Sequence, residues 1–184
     1  MFINIITPCS RPENLINIGL SINIPLENFR WIIVFDADEV PELSVAKSTF
    51  KNTEFYAHKN SDSCSGNSQR NFGLDLVEDG YVYFQDDDTL MHQNFWESIK
   101  DFNADFISFN QEFTNGSLRL IAGRTDVGFI DSHNFILKKS IIGNTRWEID
   151  NYCADGIFAD TCAKKTNDLV FLNKVLSIYN VLRD

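Results

Sequence analysis

The chain has 184 residues, of which 43% are hydrophobic and 23% are charged, and its formal net charge is −10. This length is sufficient for one globular domain with a buried core. The acidic balance argues against a nucleic-acid binder, which carries a basic face, and against electrostatic docking on an anionic membrane. It is compatible with a protein that binds a metal ion.

The cysteine content and the apolar runs indicate the compartment. None of the four cysteines forms a C-x-x-C pair, so a structural zinc site is not expected, and all four are interpreted as small buried hydrophobic residues: Cys9, Cys64, Cys153 and Cys162. Met1 runs directly into a strand-like segment, so no secretory leader is expected. The longest apolar run, residues 31–35, is too short to cross a bilayer. We therefore expect no transmembrane segment, and reduced thiols in a cytoplasmic protein.

Strands and helices alternate over the first hundred residues. Short apolar runs predict strands at 2–6, 31–35, 54–58, 81–85, 106–109 and 129–137, with a hairpin near 114–117. Helical spacing and start signals predict helices from Pro12 onward and at 42–50, 69–77, 93–102, 155–165 and 175–182. Continuous rather than alternating apolar strands are typical of a mainly parallel sheet covered on both faces. The fold prediction is a single α/β domain, a three-layer α/β/α sandwich.

Polar residues follow several of these strands at the point where each strand ends. They are Thr7, Pro8, Ser10 and Arg11 after the first strand, Asp36 and Asp38 after the second, and Asp86, Asp87 and Asp88 after the strand at 81–85, while the loop at 65–68 and Arg70 precede a helix. Ligands of open parallel sheets bind beyond the carboxyl ends of the strands. We therefore expect carboxylates for a divalent cation, and arginine and backbone donors for phosphate, at one edge.

The acidic triplet at residues 86–88 is the strongest single signal. Like charges beside an apolar core are costly unless something compensates them. Asp86 and Asp88 would project to one side and bind Mn²⁺ or Mg²⁺, while Asp87 would point away and accept a hydrogen bond, for example from a ribose hydroxyl. The alternative is a solvated turn, because aspartate is common in turns.

Four segments in order resemble the nucleotide-sugar half of GT-A glycosyltransferases. They are "ITPCSRPENL", "WIIVFDAD", "SGNSQRNFGLDL" and "GYVYFQDDDT". The glucuronosyltransferases that extend proteoglycan linkers show a close version, and bacterial inverting glycosyltransferases a looser one. The resemblance covers residues 3–90 and weakens beyond about residue 100. It implies a nucleotide-sugar-binding half at about 1–100 and an acceptor-binding half at about 101–184.

The resemblance also implies roles for matching positions. Asp36 would contact the nucleotide base, and the nucleotide pocket would be lined by Thr7, Pro8 and Arg11. Arg70 would reach the nucleotide or its phosphates. Asp86 and Asp87 would face ribose and donor sugar, while Asp88 would hold the metal with Asp86 as a second ligand. The implied activity is metal-dependent inverting transfer of a sugar from a nucleoside diphosphate donor, with a UDP-sugar as the expected donor, to a hydroxyl of a glycan or glycolipid.

Inversion requires a base that takes the proton of the acceptor hydroxyl. In bacterial relatives the base often lies just before a helix, and "CADGIF" matches that placement, which makes Asp155 the candidate. A helix N-terminus would favour its ionised form. Glu148 and Asp150 are alternatives. His133 could be an acceptor-site residue, a late metal ligand or a structural group, and Trp147 could stack on a sugar or belong to the core.

Two other functions fit parts of the sequence. "VFDADEV" matches the D-x-D-x-V signature of haloacid dehalogenase-like phosphatases, in which Asp36 would be the nucleophile and Asp38 the acid-base. That interpretation leaves the acidic triplet without a role, and a complete strand–helix unit precedes Asp36. A non-catalytic module that keeps only the donor site is the second alternative, because the chain is short for a transferase.

Overall fold

A nine-stranded sheet organises the residues that the computed structural model describes, which are 1–42, 51–60 and 62–183. The strands are β1 Ile3–Cys9, β2 Phe29–Phe35, β3 Thr53–Ala57, β4 Tyr81–Phe84, β5 Leu90–Met91, β6 Phe106–Glu112, β7 Leu118–Leu120, β8 Phe135–Lys138 and β9 Leu169–Ile178. Their order in the sheet is β3-β2-β1-β4-β8-β6-β9-β5, and β7 pairs with β6.

The sheet is mainly parallel, as predicted. β1 pairs in parallel with β2 and β4, and β2 pairs in parallel with β3. β8 is antiparallel to both β4 and β6, so β6 has the direction of β4, and β9 runs parallel to β6. Six of the nine strands therefore share one direction, and β5, β7 and β8 oppose it. The carboxyl ends of β1, β2 and β4 consequently meet at one edge of the sheet.

Helices cover both faces of this sheet and give the predicted three layers. They are α1 Leu15–Ser21, α2 Asn67–Asp75, α3 Phe95–Ile99, α4 Lys139–Ile142 and α5 Ala154–Ala163, with 3₁₀ turns at Pro12–Asn14 and Leu26–Asn28. Side chains of each central strand alternate between two cores, since Tyr83 packs with α1 and α3 whereas Phe84 packs with α2 and α5. In the described residues no helix is long and apolar enough to cross a membrane.

Close packing of α2 on β1 brings two site residues to the strand ends. A Cβ atom at Gly73 would lie 2.6 Å from Ile6 Cγ2, so only glycine allows this approach. The helix begins after Gly66, which has a φ of +79° and whose absent Cβ would lie 2.6 Å from Pro8. Gln69 and Arg70, in the first turn of α2, are thereby held beside the end of β1.

Several predicted elements need correction. The helix predicted at 175–182 is wrong, because residues up to Ile178 belong to β9, whose pairing with β6 and β5 outweighs helical spacing. The strand predicted at 129–137 begins only at Phe135, since the preceding residues turn into the edge of the sheet. The helix predicted at 42–50 lies, apart from Glu42, outside the described residues. β1 is longer than predicted and includes Thr7 and Pro8.

The cysteines are not uniformly buried. Cys9 and Cys162 lie in the core, as expected, whereas Cys64 is half-buried and Cys153 is exposed. All four are free thiols. The prediction of four buried small hydrophobic residues is therefore correct for two of them, because a sequence pattern does not distinguish a cysteine in a loop from one in the core.

Candidate functional site

A cleft of about 550 Å³ opens at the carboxyl ends of β1, β2 and β4. Its lining carries six carboxylates and four guanidinium groups: Asp36, Asp86, Asp87, Asp88, Asp131, Asp155, Arg11, Arg70, Arg119 and Arg183. The described residues that line the cleft thus carry a formal net charge of −2, from six carboxylates and four guanidinium groups. A lining with more carboxylates than guanidinium groups favours the binding of a cation.

Asp87 is held by the turn that follows β1. Its Oδ2 accepts hydrogen bonds from the backbone N–H of Ser10 at 2.6 Å, from that of Arg11 at 2.8 Å and from the Ser10 hydroxyl at 2.9 Å. Arg11 Nη1 donates to Oδ1 at 2.6 Å. These four donors compensate the carboxylate and tie β4 to the nucleotide-pocket loop predicted from the sequence.

Asp86 is compensated by two side chains from opposite sides of the cleft. Arg70 Nη2 lies 2.5 Å from Oδ1, while His133 Nε2 at 2.9 Å and the Ser132 hydroxyl at 3.0 Å contact Oδ2. Burial alone would raise the pKa of Asp86, but the charges of Arg70 and His133 outweigh it and lower the pKa below its usual range. Asp86 is therefore ionised at neutral pH.

Arg70 is buried, and its guanidinium donates hydrogen bonds to groups of this chain. Nη1 donates to the Ser65 carbonyl at 2.7 Å and to Asn67 Oδ1 at 3.1 Å, and the guanidinium lies 4.7 Å from the centre of the Trp147 ring. The predicted contact of Arg70 with phosphates stays a prediction. In this structure the side chain positions Asp86.

His133 connects Asp86 to a buried polar network. Its Nδ1 lies 2.7 Å from the Gln111 amide, and its Nε2 lies 3.2 Å from the Thr89 hydroxyl. Gln111 also contacts Ser177 on β9 and accepts a hydrogen bond from Arg119 on β7. The pKa of His133 is lowered by burial and raised by the surrounding carboxylates, and the carboxylates prevail. Through His133, this buried network fixes the orientation of the Asp86 side chain.

Asp88 is the least compensated member of the triplet. Arg11 Nη1 is 3.5 Å away, and the Thr89 hydroxyl donates to Oδ1 at 3.4 Å. Burial and the neighbouring charges of Asp86 and Asp87 raise the pKa of Asp88. A cation bound beside Asp88 would favour its ionised form and offset both the burial and the two neighbouring carboxylates.

The residues present fit a divalent cation. Ligand atoms of Asp86, Asp131 and His133 lie within 4.8 Å of one another, and carboxylate and imidazole donors suit Mn²⁺. Two of these groups already have cationic partners, because Arg70 pairs with Asp86 and Arg119 pairs with Asp131. The carboxylate of Asp88, by comparison, has only the longer contact with Arg11, at 3.5 Å. The sequence-based ligand pair, Asp88 with Asp86, stays a prediction, and Asp131 and His133 extend the possible donor set.

Asp36 and Asp38 lie in different environments. Asp36 lines the cleft, and its Oδ1 accepts a hydrogen bond from Gln69 Nε2 at 3.0 Å, which leaves Oδ2 for a ligand. Asp38 is exposed, pairs with Lys59 at 2.8 Å and is not part of the cleft lining. A dehalogenase-like phosphatase needs both aspartates at one phosphorus centre, so this arrangement does not support that alternative.

Asp155 lies in the first turn of α5, on the cleft lining. Its Oδ1 accepts the N–H of Gly156 at 2.7 Å. Burial and the charge of Asp131 raise its pKa to about 6, although the hydrogen bond from Gly156 and the charge of Arg70 act in the opposite direction. A carboxylate with a pKa near neutrality is suited to accept and release a proton.

The other candidates from the sequence either do not line the cleft or have side chains that are engaged in contacts within the core. Thr7 is fully buried and its hydroxyl accepts a hydrogen bond from Trp31 Nε1 at 2.8 Å, so its side chain is directed into the core. Glu148 and Asp150 are exposed and absent from the lining formed by the described residues. Trp147 stacks on Phe158 with ring centres 4.9 Å apart, which favours its interpretation as a core residue.

Sequence reasoning missed Gln111 and Arg119. The predicted strand ended at Phe109, whereas β6 continues through the buried polar residues Asn110 and Gln111 to Glu112. A polar run that directly extends an apolar strand was the available signal, since buried polar side chains are normally hydrogen-bonded to something specific. Arg119 lies on a three-residue strand and carried no recognisable signal.

Comparisons with known proteins place the fold. No protein-family model matches, and no curated protein sequence matches. Staphylococcus aureus TarS 1–349 superposes with a TM-score of 0.76 at 16% identity over 97% of this chain and 60% of TarS 1–349. The same protein in complex with UDP-GlcNAc gives 0.75 at 16% identity, over 97% of this chain and 58% of that chain.

A third structure is the mannosyltransferase PcManGT from Pyrobaculum calidifontis in complex with GDP-Man and Mn²⁺. It superposes with a TM-score of 0.69 at 11% identity, covering 98% of this chain and 57% of PcManGT. The chain therefore spans about 60% or less of the length of these structures. At these identities the likeness shows the fold, which is an α/β fold of the GT-A type.

Proposed function

We propose that this chain is a metal-dependent inverting glycosyltransferase that uses a nucleoside diphosphate sugar, with UDP-sugars as the first candidates, and a hydroxyl of a glycan or glycolipid as acceptor. One observation carries the proposal. The cleft combines the acidic triplet, whose charges are only partly compensated, with Asp155, a carboxylate whose pKa is raised. TarS with UDP-GlcNAc and PcManGT with GDP-Man and Mn²⁺ share the fold, which supports the same ligand class here.

The donor would lie along the ends of β1, β2 and β4. Asp36 Oδ1 bonds to Gln69, and Oδ2, for which no partner is found among the described residues, would accept an N–H of the base. Arg11 and the turn after β1 line the same cleft. Asp88 and Asp86 would hold Mn²⁺ or Mg²⁺, with Asp131 and His133 close by. When bound, that cation would neutralise the diphosphate and stabilise its charge as it leaves.

Asp155 would act as the general base. Its carboxylate would take the proton of the acceptor hydroxyl while the acceptor oxygen bonds to the anomeric carbon and the bond from that carbon to the diphosphate breaks. Attack from the face opposite the leaving group inverts the anomeric configuration. The acceptor would therefore enter through residues 101–184, which supply Asp155 and the wall around it.

Asp88→Asn should abolish metal-dependent donor binding while leaving the fold intact. The substitution removes the carboxylate with the least compensation, and its amide binds Mn²⁺ weakly. Calorimetric titration of UDP-GlcNAc with and without Mn²⁺ measures the effect, and Asp38→Asn, outside the cleft, is the matched control. Metal-dependent binding that equals wild type would remove Asp88 from the metal site.

Transfer should decline at acid pH with a midpoint near 6. Asp155 is protonated below its raised pKa of about 6 and cannot then accept the acceptor proton, so kcat/KM for the acceptor should fall about tenfold per pH unit below that value. A pH–rate profile at saturating donor measures this limb. Donor binding, titrated at pH 5 and 7.5, is the control, and a profile that stays flat down to pH 5 contradicts the assignment.

The direct test of the proposal is a ligand screen. Purified protein is melted with UDP-GlcNAc, UDP-Glc and GDP-Man, each with and without Mn²⁺, because a ligand that binds only the folded state raises Tm. Release of nucleoside diphosphate in the presence of acceptor then measures turnover. Binding without release with any acceptor would favour a non-catalytic module, and the absence of stabilisation by every nucleotide sugar would refute the proposal.

A further inference from the structure

The acceptor end of the cleft has a free aromatic surface. Tyr152 lines the cleft three residues before Asp155, and it is 80% exposed. Among the described residues no ring partner, cation or hydrogen-bond partner is found for its side chain, in contrast to Tyr179, whose ring is covered by Arg119 at 3.7 Å. Tyr152 therefore presents a phenol face to solvent at the mouth of the cleft, next to the predicted base.

The cleft lining also includes apolar side chains. Leu120 and Val127 line the same cleft, and Val127 is itself largely exposed. The loop that carries Val127 packs directly on the start of α5, since a Cβ at Gly156 would lie 2.5 Å from Val127 Cα. This contact fixes Val127 relative to the start of α5, which carries Asp155, and Tyr152, Val127 and Asp155 line the same cleft.

Among the described residues, little positive charge is left unpaired in the segments around this part of the cleft. Three cations of the surrounding segments are each paired with a carboxylate: Arg124 with Asp126, Lys164 with Asp160 and Arg146 with Asp75. Glu148 and Asp150 add exposed negative charge just before Tyr152. Arg183 lies on a segment whose Leu182 N–H bonds to the Asp88 carbonyl, which places it near the diphosphate end instead.

We infer that the acceptor is an uncharged pyranoside that lays a C–H face on the Tyr152 ring, with the hydroxyl to be glycosylated directed at Asp155. Ring C–H groups carry partial positive charge and favour the negative face of an aromatic ring. A uronate or phosphate group at this position would lie beside Asp155, and the exposed Glu148 and Asp150 add negative charge to the segment before Tyr152. Like-charge contacts discriminate against such a ligand. The inference rests on the proposed function.

The test uses saturation-transfer NMR on the full chain with UDP and Mn²⁺ present. The probes are p-nitrophenyl β-glucopyranoside, p-nitrophenyl β-glucuronide and glucose 6-phosphate, and the variants are Tyr152→Ala and Tyr152→Phe. We expect saturation of the pyranose ring protons of the neutral glucoside, with affinity about tenfold weaker for both anionic probes. Tyr152→Ala should weaken glucoside binding by about tenfold, whereas Tyr152→Phe should retain it.

The outcomes separate this inference from the proposed function. UDP signals in the same samples report donor binding, so loss of UDP binding by wild type counts against the proposed function itself. With UDP bound, equal or tighter binding of either anionic probe overturns the inference. Glucoside binding that is unchanged in Tyr152→Ala, or absent in wild type, also overturns it. Unchanged UDP binding and melting temperature in Tyr152→Ala show that the variant is folded.

Discussion

Asp155→Asn should lose between about 10²-fold and 10⁴-fold of the transfer rate while binding the donor normally. This range is the usual contribution of a positioned general base, and asparagine keeps the size of the side chain but cannot accept the proton. Single-turnover transfer at saturating donor measures the loss, and calorimetric titration measures donor affinity. Asp150→Asn and Glu148→Gln, both outside the cleft lining, are the matched controls. Reduced donor affinity with normal transfer would exclude Asp155 as the base.

The same variant should be more stable than wild type at neutral pH. The folded-state pKa of Asp155 is raised to about 6, above its unfolded value, so wild type loses stability as pH rises from about 4 to about 6. Asparagine does not ionise and avoids this loss. The difference in unfolding free energy should be near zero at pH 4 and on the order of 2 kcal/mol at pH 7.5. Urea unfolding at both values distinguishes a stable, inactive variant from a misfolded one.

Arg70→Met should destabilise the protein by about 2–4 kcal/mol. It removes the guanidinium, only 4% exposed, that compensates Asp86, and leaves a partly buried carboxylate with His133 as its cationic partner. The double variant Arg70→Met/Asp86→Asn should recover much of the loss, because the uncompensated charge is then gone. Urea unfolding of the four proteins in the cycle measures the coupling.

Arg146→Met provides the matched control for this cycle. Arg146 forms a similarly short ion pair with Asp75, at 2.6 Å, but both partners are at the surface. An exposed pair contributes less than about 1 kcal/mol, so this variant should lie within that range of wild type. If Arg70→Met were equally mild, Arg70 would not be needed to compensate Asp86, and its predicted contact with a bound diphosphate would become its main role.

The parts of the fold that were predicted correctly depend on local pattern. Residues 31–35 and 81–84 are continuous apolar runs, and a strand buried on both faces requires such a run. The helix predicted at 69–77 is found at Asn67–Asp75, directly after the loop that ends at Gly66, and it packs on β1 through Gly73. The strands β1 to β4 all pair in parallel. Because the carboxyl ends of parallel strands lie at the same edge of a sheet, the meeting of the polar residues at that edge could be predicted.

The C-terminal half could not be predicted in the same way. The helix predicted at 175–182 overlaps the last four residues of β9, and only the pairing of β9 with β6 and β5 decides the conformation there. Similarly, the segment that contains Asp131 and His133 reads as an extension of β8. The hydrogen bond from the Asp131 N–H to Asn134 Oδ1 turns the chain there and directs both side chains to Asp86.

The sequence by itself determined that acidic and basic side chains would meet beyond the strand ends of a mainly parallel sheet with helices on both faces. The alternation of strands with helices and the polar residues after each strand are local properties of the sequence. Only the tertiary structure decided which charges compensate which. Arg70 pairs with Asp86, Arg11 pairs with Asp87, and Asp88 has only the longer contact with Arg11. Those pairings join residues far apart in the chain, and electrostatic compensation depends on distance and burial, which residue order does not encode.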